Sequence, residues 1–470
     1  MIVVKFGGTS VGDASAIAGA AEIVRDRLAR DPIVVVSALA GTTNALIAIA
    51  QQATDGQLIS AIRGVESLRE RHVHVAEALL DGTPGANDVI AELLATFDEL
   101  ASLAEALSVL GHQTERSMDA MAAKGEQLSS VLVVAAFRAR GIPAEHVDAE
   151  TVMITGDQFG KAEPRTDRIA EAAQRILQPL VAQRRVPVLG GFVGATDQGI
   201  VTTLGRGGSD FSASLIGAAL GVDAIEIWTD VDGMLSADPR VVPRARLIER
   251  IRFDEASELA SFGAKVLHPS TIAPAVRLGI PVFVLNSHKP GKGGTLIAFD
   301  APLRPVTAIA GKEGVTVLKV RSPRMLLAHG FLRSIFEIFD RHRTSVDVVA
   351  TSEISVSVTV DDPHRLDSLV IDLSHMGDVS VERNRGIVAI VGAGLTASTS
   401  AMSRVLAAIS GIKVHMLSLS ASGINLTMLV DADQVTPAML ALHHEFFESA
   451  EPAEADPGMV SQHASHVTRH

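Results

Sequence analysis

The sequence predicts an α/β protein: a parallel sheet covered by helices over about the first 300 residues, then a smaller duplicated region of β-α-β-β units. Three observations carry this prediction. Apolar strands such as "PIVVV" (32–36) and "AIEIW" (224–228) run without polar alternation, as strands buried on both faces do. Helical periodicity fills the segments between them. Beyond a proline-containing connector, two segments of about 70 residues repeat the same order of strands and helix.

The elements follow in order. Residues 2–6 read as a short buried strand. "SAIAGAAEIVRDRLARD" (15–31) puts Ile17, Ala21, Val24 and Leu28 on one helical face. "PIVVVSALAG" (32–41) is the next strand, closed by small residues. The stretch from 44 to about 140 is mostly helical, with a break at "DGTPGAND" (81–88). Strand signals return at "VPVLGGFVGA" (186–195) and "DAIEIWTDVDGM" (223–234), with the helical pattern "SASLIGAALG" (212–221) between them. "IPVFVLNSHKPGKGGT" (280–295) closes the unit, and "FDAPLRPV" (299–306) connects it onward. One repeat then comprises "GVTVLKVRS", "GFLRSIFEIFDRHR", "SVDVVATSE" and "ISVSVTVDD". The other comprises "GIVAIVGAG", "STSAMSRVLAAISG", "KVHMLSLSAS" and "INLTMLVDA". Residues 449–470 lack periodicity and are expected to form a disordered tail.

Composition narrows the function classes. The 470 residues are 47% hydrophobic and 20% charged, enough to bury large aliphatic cores. The absence of cysteine excludes disulfides, thiolate metal sites and a cysteine nucleophile. A strand starting at Ile2 leaves no room for a signal peptide, and no apolar run approaches the roughly 18 residues that span a bilayer. A cytoplasmic protein without a membrane partner is expected. The net charge of −13 argues against nucleic acid as a partner. It also means that an anionic substrate must be held by a local cluster of Lys, Arg and backbone N–H groups.

Four glycine-rich loops offer such a cluster. In "KFGGTS", Lys5 precedes Gly7 and Gly8 at the tip of the first strand, the reverse of the order in a P-loop. Glycines there let backbone approach an anion, the helix after Asp13 aims its N-terminus the same way, and Lys5 adds charge. A strand-capping lysine beside a plain glycine turn is the alternative. "GRGGSD" (205–210) follows a strand and opens a helix, with Arg206 and Asp210. "TDVDGMLSADPR" (229–240) places Thr229, Asp230 and Arg240 at a carboxyl-end crevice, where ligands bind in open α/β sheets. "FGAKVLHPSTI" (262–272) offers Lys265. By contrast "GAGLTA" (392–397) matches a dinucleotide fingerprint, but the strand after it ends without the required acidic residue, so NAD binding is rejected there.

These four motifs, in this order, resemble the aspartate kinase branch of the amino acid kinase family over about residues 1–448, and the duplicated end resembles paired ACT domains. The resemblance implies a carbamate kinase-like three-layer α/β/α catalytic domain over 1–298. A linker and strand over 299–314, given to the second ACT unit, would precede ferredoxin-like ACT domains over 315–385 and 386–448. It implies conversion of L-aspartate and ATP, with Mg²⁺ carried mainly on the nucleotide phosphates, to L-aspartyl 4-phosphate, the first step toward lysine, methionine and threonine. Carried onto this chain, Lys5, Gly7 and Gly8 would hold phosphates. Lys265, with Val266 beside it, would stabilise charge on the nucleotide. Thr229, Asp230, Leu235 and Arg240 would line the nucleotide crevice. Ser37 and Thr43 resemble the substrate loop, Glu126 the acid that meets the amino acid's ammonium, and Arg206 the partner of its α-carboxylate. Ser209 and Asp210 would sit near the acceptor. Without the resemblance, an ordinary helix-surface acid is the favoured reading of Glu126.

The acceptor carboxylate is already ionised at pH 7, so no general base is needed and Asp210 is expected to orient Lys5 and the substrate. Two departures stand out. Relatives often carry Tyr where this chain has Leu235. In the segment resembling an effector site, Met325, Gly330, Phe331, Asp347, Ser352 and Glu353 match. Leu327 and Ala328 replace polar residues, which leaves lysine and threonine both open as feedback amino acid. Core packing is the alternative for Met325 and Phe331. A homodimer or homotetramer through the ACT units is expected. Two other functions remain to be weighed: a kinase for another small carboxylate such as N-acetylglutamate, against which Glu126 speaks, and a catalytically dead amino-acid sensor, against which Lys5, Arg206, Asp210 and Lys265 speak together.

Overall fold

The computed structural model describes residues 1–205, 207–262, 269–326, 328–361, 366–397 and 399–449. Arg206, Lys265, Val266 and Leu327, and the expected tail apart from Ser449, lie outside the described residues.

The chain opens with β1 (Ile2–Phe6), α1 (Ala14–Arg25), β2 (Pro32–Val36) and four helices, α2 (Thr42–Thr54), α3 (Leu58–Leu80), α4 (Ala86–Leu110) and α5 (Glu115–Ala139). It continues through β3 (Ala144–His146), α6 (Thr166–Ala182), β4 (Val186–Gly190), the hairpin β5 (Val193–Ala195) and β6 (Val201–Thr203), α7 (Gly208–Leu220) and β7 (Ala224–Thr229). β8 (Arg250–Ile251), α8 (Phe253–Ser261), α9 (Pro269–Arg277), β9 (Val282–Asn286) and β10 (Thr295–Ile297) complete the unit. Its sheet runs β3-β4-β2-β1-β7-β9-β10-β8, and only the β9–β10 pair is antiparallel. Strand alternation sorts the two faces. Ile2, Val4, Phe6, Val34 and Val36 enter one core with α1 to α5, while Val3, Ile33 and Val35 enter another with α6 to α9. That is a three-layer α/β/α arrangement. The first helix is shorter than its apolar periodicity predicts. It ends at Arg25, where the chain turns so that Arg27 and Arg30 meet the buried carboxylate of Glu226, and Leu28 falls in a 3₁₀ turn.

The second region is one six-stranded sheet: β11 (Ala308–Arg321), β12 (Val349–Thr351), β13 (Ser355–Val360), β14 (Asp378–Val391), β15 (Met416–Leu419) and β16 (Asn425–Asp431), ordered β12-β13-β11-β14-β16-β15. Helices α10 (Phe331–Arg341), α11 (Leu366–Ser374), α12 (Thr399–Ala408) and α13 (Val435–His443) accompany it. The repeats read as separate four-element units are joined through two continuous 14-residue strands. β11 pairs with β14 along its whole length, from Ala308 opposite Val391 to Arg321 opposite Asp378, and Thr316–Arg321 pairs with β13 on the other edge. The register between the two strands shifts between Lys312 and Val317, and Gly314 takes φ +77° there. The rejected fingerprint has a packing role. A Cβ on Gly392 would lie 2.2 Å from the Pro305 carbonyl oxygen, and Gly394 N–H donates to the Arg304 carbonyl at 2.8 Å. These glycines seat their loop on the connector.

Candidate active site

Lys5 sits in the middle strand of the parallel sheet, opposite Val35 and Ile227. Alternation turns it to the α7 side, where it is 7% exposed and its Nζ lies 2.5 Å from Asp210 Oδ1 in the first turn of α7. The contact is ionic and lacks the angles of a directed hydrogen bond, since Oδ1 has no hydrogen-bond partner. A buried ammonium without a counter-charge would destabilise the fold, and Asp210 supplies that charge. The two glycines after Lys5 divide their work. Gly7 N–H donates to the Trp228 carbonyl at 2.9 Å, so it serves the sheet. Gly8 lines the cleft above, and a Cβ there would come 2.8 Å from the Ala38 carbonyl oxygen.

That cleft has a volume of about 880 Å³, and Ser37, Thr43, Glu126, Phe192 and Ser209 line it with Gly8. Two more glycines let its walls close. On Gly191 a Cβ would meet Ser209 Cβ at 2.5 Å, and on Gly190 it would meet Glu126 Cβ at 2.9 Å. Ser37 and Ser209 hydroxyls are 2.8 Å apart, which ties the loop after β2 to the start of α7. Glu126 is not a surface acid. It lies on the inner face of α5 at 4% exposure because Gly125 beside it allows the Ala38 loop to approach. Its Oε1 accepts Ala38 N–H at 3.2 Å, and its Oε2 is buried without a partner. Burial pushes the carboxyl up to about 8, against the pull of Ala38 N–H and of the Lys5 charge.

The raised value has a stability consequence. Between the unfolded value of 4.5 and about 8 the folded protein holds a proton that the unfolded chain has lost, so stability falls as pH rises through that window. The ligand-free protein is therefore expected to lose thermal midpoint from pH 5 to 8 beyond what Glu126→Gln loses. Calorimetric scans of both proteins check this, and parallel curves would contradict it.

Sequence reasoning missed Asp119. It is 2% exposed and clamps the cleft wall by accepting from Gly160 N–H at 2.9 Å, Thr203 N–H at 3.0 Å and Thr203 Oγ1 at 2.7 Å. The signal was available, because Asp119 and Glu126 stand seven residues apart on one helix and so share a face. At the carboxyl end of β7, the Thr229 hydroxyl donates to Asp230 at 3.2 Å and its carbonyl accepts from Ser287 N–H at 2.8 Å. Leu235 is half-buried and bridges Leu247 through its backbone. Arg240 differs from expectation. Its side chain is 84% exposed and turned back on Asp238 at 2.6 Å, because that neighbour supplies a bidentate partner closer than any crevice. Asn286 and Lys289, also unforeseen, hold Asp232 at 2.5 Å and 2.9 Å.

Among the expected effector residues, Phe331 is buried and Met325 half-buried in one core with Ile335 and Val356. Gly330 starts α10 with φ +81°. Asp347 lies 3.6 Å from Lys312 Nζ, which also pairs with Asp361. Burial, with help from Asp361, raises the Asp347 carboxyl to about 6 against the Lys312 charge. Ser352 bonds the Ser355 hydroxyl at 2.7 Å in the turn after β12, and Glu353 beside it is exposed.

Residues 1–286 match the Amino acid kinase family, and residues 388–446 match an ACT domain. The chain is 37% identical over 457 residues to lysine-sensitive aspartokinase 3 of Escherichia coli, covering 95% of this chain and 99% of that protein. It belongs to the aspartokinase family. A chloroplastic aspartokinase 3 of Arabidopsis thaliana is also 37% identical, over 95% of this chain and 82% of the relative. Among solved structures, E. coli aspartokinase III in complex with aspartate and ADP (R-state) superposes with a TM-score of 0.83 at 36% identity, over 95% of this chain and all of that one. Its complex with lysine and aspartate (T-state) gives 0.80. The aspartokinase described here is thus an aspartate kinase with C-terminal ACT domains, and among its described residues no helix is long and apolar enough to cross a membrane.

Proposed function

We propose that the cleft at Glu126 binds L-aspartate by its ammonium and that Lys5 stands over the phosphates of ATP. The observation that carries this reading is Glu126 Oε2, a buried carboxylate oxygen on the cleft wall with no partner. A charged ammonium supplies that partner, whereas an acylated nitrogen brings no charge to meet it. Ser37, Thr43 and Ser209 then offer hydroxyls to the acceptor, and Arg206 would take the α-carboxylate. The β-carboxylate oxygen attacks the γ-phosphorus in line, the bond to the β,γ-bridging oxygen breaks, and ADP leaves with L-aspartyl 4-phosphate formed. Asp210 orients Lys5 rather than taking a proton, a role supported by their 2.5 Å ion pair. Thr229, Asp230, Leu235, Lys265 and Val266 are assigned to the nucleotide, with Arg240 reaching it only by releasing Asp238. Mg²⁺ supplied with ATP would neutralise phosphate charge. Among the described residues no group of three or more His, Asp or Glu is placed to hold a metal ion.

Glu126 makes binding proton-linked. Its carboxyl is mostly neutral at pH 7 in the free cleft and ionises against an ammonium, so aspartate binding is expected to release close to one proton and to tighten as pH rises toward 8. Titration calorimetry in two buffers of different ionisation enthalpy measures the release. Equal apparent enthalpies in both would contradict the pairing.

Lysine is the proposed feedback amino acid, by analogy with the lysine complex of the E. coli relative. Asp347, Ser352, Glu353, Met325, Gly330 and Phe331 are its proposed surroundings, in a homo-oligomer joined through the ACT units. The observation favouring Asp347 is that its carboxylate already accommodates an ammonium, that of Lys312. Asp347→Asn is expected to raise the lysine concentration for half-inhibition about tenfold while leaving uninhibited turnover within a factor of two. Unchanged inhibition in that variant would remove Asp347 from the site.

A further inference from the structure

The segment after β7, which carries Thr229 and Asp230, does not end as a free loop. Ala237 and Val242 are buried in the same core as Val306, Ile309, Met439 and Leu442, so the nucleotide-side segment and the second ACT unit share one apolar interior. At its centre stands Ser236, 1% exposed. Ile309 N–H donates to the Ser236 carbonyl at 2.8 Å, and Ser236 Oγ accepts from Arg246 N–H at 2.8 Å and lies 3.0 Å from His443 Nε2. His443 ends α13 and is fully buried. A single π turn, His444–Glu448, closed by Ser449 N–H on the His444 carbonyl, brings Glu448 back so that its Oε1 lies 2.9 Å from His443 Nδ1. Glu448 Oε2 in turn takes Arg244 Nη1 at 2.8 Å, returning the chain of bonds to the nucleotide-side segment. An ionised Glu448 can only accept, so Nδ1 carries a proton, and Nε2 shares the ring's other hydrogen bond with the Ser236 hydroxyl. Every polar atom of the ring is satisfied.

This geometry serves no hydrolytic chemistry. Ser236 is sealed from solvent and from the 880 Å³ cleft, whose lining does not include it. What the bonds do is fix where segment 230–246 lies relative to α13 and the turn after it, at two points eight residues apart, Ser236 and Arg244. We infer that His443 is a positioning residue for the nucleotide: through Ser236, the last helix of the second ACT unit sets the nucleotide-binding segment in its ATP-competent place. The inference rests on the reading that Thr229 and Asp230 face ATP. It gives the second ACT unit a direct hold on nucleotide affinity, whereas the aspartate cleft at Glu126 is built from other elements (α5, α7 and the loop after β2).

The test uses the full chain with Ser236→Ala and His443→Gln, whose amide reaches the place of ring Nε2 but not Glu448. For Ser236→Ala the KM for MgATP and the dissociation constant of MgADP, read by titration calorimetry, are expected to rise about tenfold, as for one lost buried hydrogen bond. The KM for aspartate should stay within a factor of two, and His443→Gln should recover most of the loss relative to His443→Ala. Equal rises in both KM values, or unchanged MgADP affinity in Ser236→Ala, would overturn the positioning role. Absence of MgADP binding by the unsubstituted protein would instead overturn the nucleotide reading and the inference with it. Should Ser236→Ala not fold, His443→Gln against His443→Ala decides by the same ATP-against-aspartate split.

Discussion

Lys5→Met is expected to lower kcat/KM for aspartate phosphorylation by about 10³-fold or more, while lysine still binds. Phosphoryl transfer to a carboxylate offers a protein little covalent chemistry, so neutralisation and placement of phosphate charge carry the rate. Lys5 is the cation best fitted for that among the described residues of the cleft region, on a central strand, 7% exposed and held by Asp210. Its removal also strands the Asp210 carboxylate, which could unfold the region by itself. The double variant Lys5→Met, Asp210→Asn separates the effects: it should recover the thermal midpoint without recovering activity. Rate assays beside calorimetric scans measure both. Activity within tenfold of the parent in a folded Lys5→Met protein would displace Lys5 from the reaction.

Glu126→Gln should have the second largest effect, raising KM for L-aspartate about 100-fold with a smaller change in kcat, because it removes one partner of a desolvated charge pair made in both ground and transition states. The same change should leave the KM for ATP near its parent value. It should also abolish the proton release on aspartate binding, since no titrating carboxyl remains. Steady-state kinetics with each substrate varied in turn distinguishes these results. Equal loss for both substrates would mean that the substitution had collapsed the cleft through the Ala38 loop.

What the sequence made legible was what local chemistry dictates. Strands without alternation announced a sheet covered on both faces, and glycine-rich strand ends announced the cleft, because close backbone approach leaves no other residue. Long-range pairing was much less legible. β11 and β14 pair with each other across both repeats through a register shift near Gly314, and nothing in the apolar pattern marks a strand as shared between two repeats. The depth of Glu126 was hidden for a similar reason: its burial follows from Gly125 and Gly190 admitting other segments, which are contacts made across the fold. Arg240 shows the converse. Its motif pointed to the crevice, but the Asp238 carboxylate two residues away takes the guanidinium instead. Asp119 could have been found by extending the face of α5 back seven residues from Glu126.

The most direct test of the account is acyl-phosphate formation, trapped with hydroxylamine in the presence of MgATP, with L-aspartate and N-acetyl-L-aspartate as alternative acceptors. The two share both carboxylates and differ in the charge that Glu126 is proposed to meet. Hydroxamate from L-aspartate with little from the acetylated compound is the predicted result. Comparable yields from both would contradict the ammonium pairing at Glu126 on which the reading of the cleft rests.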